Sequence, residues 1–184
     1  EFHEQLQKRL RSELEMHYHQ LLTDVTNEVL TERRQNENFL KEIAEVARWL
    51  CDGGSDLVQV RAKHAPLDEV RRLAEAVTPV CDRAGVGFVL NDFPKLSLQL
   101  GAPVCHLGQE DFFDAGYRMA AQVTGCPPQM KLGLSTHAPE QAQRALRAAP
   151  DYLAIGPVFA TGTKPGRPAV TLDYVRWAAA NVTI

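Results

Sequence analysis

Downstream of Gly53-Gly54, short apolar runs alternate with amphipathic helical patterns, five times over. The runs are Asp56-Leu57-Val58, Gly87-Phe88-Val89-Leu90, Val104-Cys105-His106-Leu107, Lys131-Leu132-Gly133-Leu134 and Tyr152-Leu153-Ala154-Ile155. Short apolar runs punctuated by turn residues and helical spacing predict buried strands joined by helical crossovers. The strands are expected over 56–60, 87–90, 104–107, 131–134 and 151–155. Helices are expected over 67–84, 95–100, 113–124, 139–148 and 172–180. Pro66, Pro94 and Pro139 stand at or near helix starts, where a missing N–H does little harm. Strict alternation of this kind implies a parallel sheet with right-handed crossovers.

A doubly wound sheet and a barrel both satisfy that pattern. No Gly-x-Gly-x-x-Gly turn follows any of the runs, which weakens a dinucleotide-binding sheet. A short polar cluster closes each strand instead. Chemistry after nearly every strand favours a barrel, where strand ends converge on one surface.

Upstream, the segment from Glu1 to about His17 is highly charged, with Leu6, Leu10 and Leu14 as a narrow helical stripe. It reads as a surface helix, or as a docking helix for a partner or second subunit. Tyr18 to Asp24 reads as a first strand or as continued helix. Asn27 to Asn38 is polar and expected to be a loop, and Phe39 to Leu50 an amphipathic helix ended by Gly53-Gly54.

A chain of 184 residues is long enough to bury a sizeable core in one domain. Its net charge of -3 gives no broad basic field for nucleic acid. Cys51, Cys81, Cys105 and Cys126 form no Cys-x-x-Cys pair and have no zinc spacing with histidine. A reduced, cytoplasmic setting is the simple expectation. No apolar stretch is long enough to span a bilayer and no signal peptide is visible.

The clusters carry the chemistry. Gln59, Arg61 and Lys63 alternate at the first strand's exit, so period-two geometry puts them on one face. Two cations and an amide there read as an anion site, with Arg offering a planar fork for phosphate oxygens and Lys a point charge, or as a salt-bridged strand end. Asn91-Asp92 and Gln109-Glu110-Asp111 end the next two strands. Asp92 and Asp111 could share one Mg²⁺, an ion that takes one or two protein carboxylates and completes its shell with water and phosphate. A glycosidase carboxylate pair is the rival reading. Ser135-Thr136-His137 offers hydroxyls and an imidazole. With no Gly-x-Ser-x-Gly elbow, Ser135 reads as a phosphate donor rather than a nucleophile, and His137 as either a chemical group or a helix-start residue. The loop Gly156 to Gly166 carries Thr161, Gly162, Thr163 and Lys164 without the order of a Walker P-loop. It reads as a phosphate-wrapping loop or as a plain surface loop.

In order, Asp56 to Lys63, Leu90 to Asp92, His106 to Asp111, Gly133 to His137 and Asp151 to Lys164 resemble the motifs of thiamine phosphate synthase. The resemblance covers the chain from about Leu21 onward. It implies a (β/α)₈ TIM barrel over 18–184, with residues 1–17 as a helical extension outside it. It also implies the joining of 4-amino-5-hydroxymethyl-2-methylpyrimidine diphosphate to 4-methyl-5-(2-hydroxyethyl)thiazole phosphate, with release of diphosphate. Carried over by position, Gln59, Val60, Arg61, Ala62, Lys63, Asn91, Ser135 and Lys164 would hold the pyrimidine diphosphate. Asp92 and Asp111 would ligate Mg²⁺. Thr161, Gly162 and Thr163 would contact the thiazole phosphate, and Arg61, Lys63 and Lys164 would stabilise the departing charge. The implied partners are these small molecules, with neither nucleic acid nor membrane, and a homo-oligomer is compatible with the sequence.

Four positions depart from the pattern. Phe93 stands where the family usually has Arg, Pro94-Lys95 replaces a typical Val-Asp, and Val170 stands near a common glycine. Asn181-Val182-Thr183-Ile184 looks like the start of a seventh strand, and nothing of the eighth unit follows. The barrel is therefore expected to be truncated, with weak activity or none in the chain as it stands. The related thiazole tautomerase and a non-catalytic binder of thiamine precursors are the alternative functions.

Overall fold

The computed structural model describes residue 32 and residues 36–126, 128–159 and 168–184. The 1–17 helix, the 18–24 strand and the Thr161-Gly162-Thr163-Lys164 loop predicted from sequence lie outside the described residues. The chain divides into two compact units, Glu1–Glu42 and Ile43–Ile184. Described residues 36–42 of the first are helical. The sheet and the cavity described below belong to the second.

Helix α1 covers the described residues 36–52, so residues 36–38, expected as part of a polar loop, are helical instead. After it come β1 Leu57–Val60, α2 Leu67–Ala84, β2 Gly87–Asn91, α3 Pro94–Leu100, β3 Val104–Gly108, α4 Gln109–Asp114, α5 Ala121–Thr124, β4 Lys131–Thr136, α6 Pro139–Leu146, β5 Tyr152–Ile155 and α7 Thr171–Asn181. Helix α2 shows why these segments are helical. Val70, Leu73, Ala74, Val77 and Cys81 repeat at helical spacing and are buried, Asp68 and Glu69 lie in the first turn, and Arg83 lies in the last. Gly85 closes the helix in the left-handed region at φ 68°.

The five strands form one parallel sheet in the order β1-β2-β3-β4-β5. Sequential order and crossovers of one hand put every helix on the same face and curl the sheet toward a half-barrel. Burial follows that asymmetry. Val58, Phe88, Leu90, Cys105, Leu107, Leu132 and Leu134 point to the helices and are buried. Phe88, Phe112, Leu90, Leu132 and Leu134 are almost fully enclosed, each contributing about 1.5–3 kcal/mol. The register places Gln59, Asn91, His106, Ser135 and Tyr152 on the opposite face.

Two sequence expectations are corrected. The single helix over 113–124 is two: α4 begins at Gln109, directly after β3, and α5 follows a break. Gly116 at φ 87° is the reason, turning the chain while its N–H bonds Phe113 O at 3.0 Å. Asn181 to Ile184 does not begin a strand. Asn181 finishes α7, the Val182 N–H bonds Ala178 O at 2.8 Å, and residues 182–184 pair with no strand among the described residues.

Burial pushes the Cys81 and Cys105 thiols up from 9.0 to about 11. Both therefore stay protonated and inert at pH 8, whereas Cys126 is exposed. Thiol labelling of the native protein at pH 8 should modify Cys126, more slowly half-buried Cys51, and Cys81 and Cys105 only after denaturation. Peptide mass spectrometry checks this, and rapid labelling of native Cys105 would contradict its place in the sheet. Because both folded values are raised, the stability these thiols contribute is complete below pH 9 and lost as pH rises through 11.

Candidate active site

A cavity of about 730 Å³ opens at the carboxyl ends of the strands, within the size range of small-molecule sites. Strand β1 and its exit send Gln59, Arg61 and Lys63 into it. Strand β2 sends Asn91 and, one residue on, Asp92. Asp111 enters from the first turn of α4, and Ser135 and His137 from the end of β4. The sheet thus gathers eight of the sequence-predicted groups around one space. Val60 and Ala62 instead pack against the apolar cluster under the helices, so any contact they make with a ligand is through backbone. Phe93 joins that same cluster, so the place the family usually gives to Arg adds no charge to the cavity.

Asp92 is the most unusual residue in the site. Its N–H bonds His106 O at 2.9 Å, which extends the β2–β3 pairing past the end of β2. Its φ is 71°, a left-handed conformation that carries a penalty of about 1 kcal/mol in most L-residues and is best tolerated by Asn and Asp. Its Oδ2 is buried and has no hydrogen-bond partner among the described residues. Burial raises the carboxyl above its ordinary value. Lys63 opposes that rise, the Asp111 charge adds to it, and Arg61 opposes it again. A strained, half-buried carboxylate with an idle oxygen is a poor structural element and a good ligand for something positively charged.

Asp111 accepts a hydrogen bond from Lys63 Nζ at 2.7 Å. Both side chains are well exposed, so the pair contributes at most about 1 kcal/mol and can open for a ligand. Gly108 permits this placement, because a Cβ there would lie 2.8 Å from Asp111 Oδ2. The two carboxylates with an idle oxygen between cations suit a hard ion such as Mg²⁺, which needs only one or two protein ligands when phosphate completes its shell. Among the described residues no group of three or more His, Cys, Asp or Glu stands where it could hold a metal ion.

Sequence reasoning missed a hydrogen-bonded row on the floor of the cavity. His106 Nε2 lies 2.7 Å from Ser135 Oγ, and His106 Nδ1 lies 2.9 Å from Tyr152 Oη. The His106 and Tyr152 rings also stack, with centroids 5.5 Å apart. Glycine at 133 makes the row possible, since a Cβ there would lie 2.0 Å from Tyr152 Cζ. Period-two counting puts His106 and Ser135 each on its strand's polar face. Only the register, His106 with Gly133 and Gly133 with Tyr152, shows that they meet. His137 is fixed differently. Its N–H bonds Gln141 Oε1 at 2.8 Å, and its Nδ1 closely approaches Gly156 O.

The family model described as thiamine monophosphate synthase matches residues 29–184. The thiamine-phosphate synthase of Thermus thermophilus is 47% identical over 131 residues, covering 71% of this chain and 60% of that protein. That of Gloeobacter violaceus is 43% identical over 135 residues, 73% of this chain and 38% of that protein. Among solved structures, the thiamine phosphate pyrophosphorylase of Pyrococcus furiosus aligns with a TM-score of 0.60 at 22% identity, over 77% of this chain and 65% of that one. That likeness bears on the fold and agrees with a parallel half-barrel. The chain spans less than two thirds of the length of these curated relatives. With a family match over most of its length, this chain belongs to the thiamine monophosphate synthase family.

Proposed function

We propose that the protein joins 4-amino-5-hydroxymethyl-2-methylpyrimidine diphosphate to 4-methyl-5-(2-hydroxyethyl)thiazole phosphate, forming thiamine phosphate and diphosphate. The observation that carries the reading is the gathering of Arg61, Lys63, Asp92 and Asp111 around one cavity. Two cations and two carboxylates side by side suit a metal-bound diphosphate better than either a bare anion or a bare cation. A tautomerase needs no such carboxylate pair, and the grouping would then serve no purpose. The sheet is read as part of an eight-stranded barrel over 18–184, with 1–17 as an added helix.

In this reading Gln59 and Asn91 orient the pyrimidine diphosphate by amide hydrogen bonds, and Ser135 donates to a diphosphate oxygen. The carbon–oxygen bond to diphosphate breaks with its electron pair leaving on oxygen, and the thiazole nitrogen forms the new carbon–nitrogen bond. Arg61 and Lys63 stabilise the negative charge growing on the leaving oxygens, and Lys164 is assigned the same role. Mg²⁺ held by Asp92 and Asp111 would supply further charge neutralisation there. Holding the thiazole against the reacting carbon supplies the rest of the advantage. No protein nucleophile takes part.

Incubation with both substrates and Mg²⁺ should yield thiamine phosphate and diphosphate in equal amounts, followed by chromatography. Calorimetry on the same samples should show both substrates bound. Tight binding of both with no product would leave the protein a binder of thiamine precursors and end the enzyme reading.

A further inference from the structure

The row Tyr152–His106–Ser135 has a direction. Tyr152 Oη has one hydrogen-bond partner among the described residues, His106 Nδ1 at 2.9 Å. Ser135 Oγ likewise has one, His106 Nε2 at 2.7 Å. A phenol must place its single proton on an acceptor, whereas its oxygen can do without a donor at smaller cost. If Tyr152 donates, Nδ1 is the acceptor and the imidazole proton sits on Nε2. That proton then points at Ser135 Oγ, whose own hydrogen is turned away from the row and into the cavity. The opposite direction would leave the phenol hydrogen without an acceptor among the described residues. It would also turn the Ser135 lone pairs toward a space lined by Arg61 and Lys63, leaving no serine proton for an anion held by those cations.

We propose that Tyr152 and His106 are positioning residues, a one-way hydrogen-bond relay that fixes Ser135 as a donor to an anion in the cavity. The proposal rests on the diphosphate reading of the site. It gives a role to a half-buried tyrosine that stands where only glycine at 133 leaves room for it. Burial pushes the Tyr152 phenol from 10.0 up to about 12, so it remains a protonated donor throughout the working pH range. The relay also separates this Ser–His pair from a nucleophilic one, in which imidazole accepts the serine proton.

Long-range proton–nitrogen NMR on the ¹⁵N-histidine protein reads the direction without any ligand. His106 should show the tautomer protonated at Nε2, and Tyr152→Phe should lose that preference while keeping the ring stack. Binding of inorganic diphosphate with Mg²⁺, measured by calorimetry, should weaken by about threefold to tenfold in Tyr152→Phe. In a Ser135→Ala background the same change should have almost no further effect, because the relay then ends nowhere. An Nδ1-protonated His106 in the wild type overturns the relay, and so does an equal loss in both backgrounds. Failure of the wild type to bind diphosphate would count against the proposed function, and the tautomer would still decide the relay.

Discussion

On the proposed function, Asp92→Asn should abolish thiamine phosphate formation and at the same time make the folded protein more stable. Both effects follow from one fact: the carboxylate is half-buried, strained and has an idle oxygen. Its raised folded value means that the protonated form is preferred in the fold. Such a group adds stability only below its unfolded value, and that contribution is lost as pH rises through the folded one. At neutral pH the wild-type carboxylate is therefore a net burden, even with Lys63 and Arg61 beside it. Asparagine has nearly the same shape, tolerates the left-handed backbone and carries no charge. The variant should gain about 1 kcal/mol at pH 7, a rise in Tm of about 2–4 °C. The gain should shrink as pH falls and the wild-type carboxyl takes up its proton. Activity should fall by at least about a hundredfold, since a charge aimed at the reacting centre is gone. Thermal melts across pH and a product assay with the two substrates check both halves. A destabilised Asp92→Asn protein, or one that keeps its activity, would show that Asp92 is a structural residue.

Gly133→Ala is expected to damage the site from the opposite direction, by filling space. The added Cβ would sit 2.0 Å from Tyr152 Cζ, 2.3 Å from Cε1 and 2.4 Å from Oη. No rotation of the hydroxyl relieves a clash with ring carbons, so the ring or the strand must shift. Overpacking of this kind destabilises by about 1–3 kcal/mol. The displaced ring would also release His106 Nδ1, so diphosphate affinity should fall by about tenfold in a protein that still folds. Tyr152→Leu in the same chain separates the two effects. It should recover much of the lost Tm, because the clash is removed, and none of the affinity, because the phenol is still missing. Full recovery of affinity in that double variant would mean that Tyr152 does no more than fill space.

Much of this was legible in the chain itself, because strand and helix patterns are local. The apolar runs and the prolines before α2, α3 and α6 report what each segment buries and where a helix can start. Five of the expected strands appear, most within a residue of their expected ends. The residues that line the cavity from sequence, Gln59, Arg61, Lys63, Asn91, Asp92, Asp111, Ser135 and His137, share one property that a sequence displays. Each lies at or just past the end of an apolar run, where a parallel sheet delivers its polar groups. The break at Gly116 was harder to see, because an isolated glycine inside a helical pattern is tolerated at a cost of about 1 kcal/mol and need not end the helix.

What the sequence alone determined is the family, the alternation of strands and helices, and the polar groups at the strand ends. Register between strands was left to the tertiary structure, because parallel neighbours are set by packing across tens of intervening residues. That is why His106 and Tyr152, 46 positions apart, could not be joined by reading along the chain. The isolation of Asp92 Oδ2 is tertiary for the same reason. A carboxylate becomes costly only when the fold takes away its water, and that depends on every element packed around it.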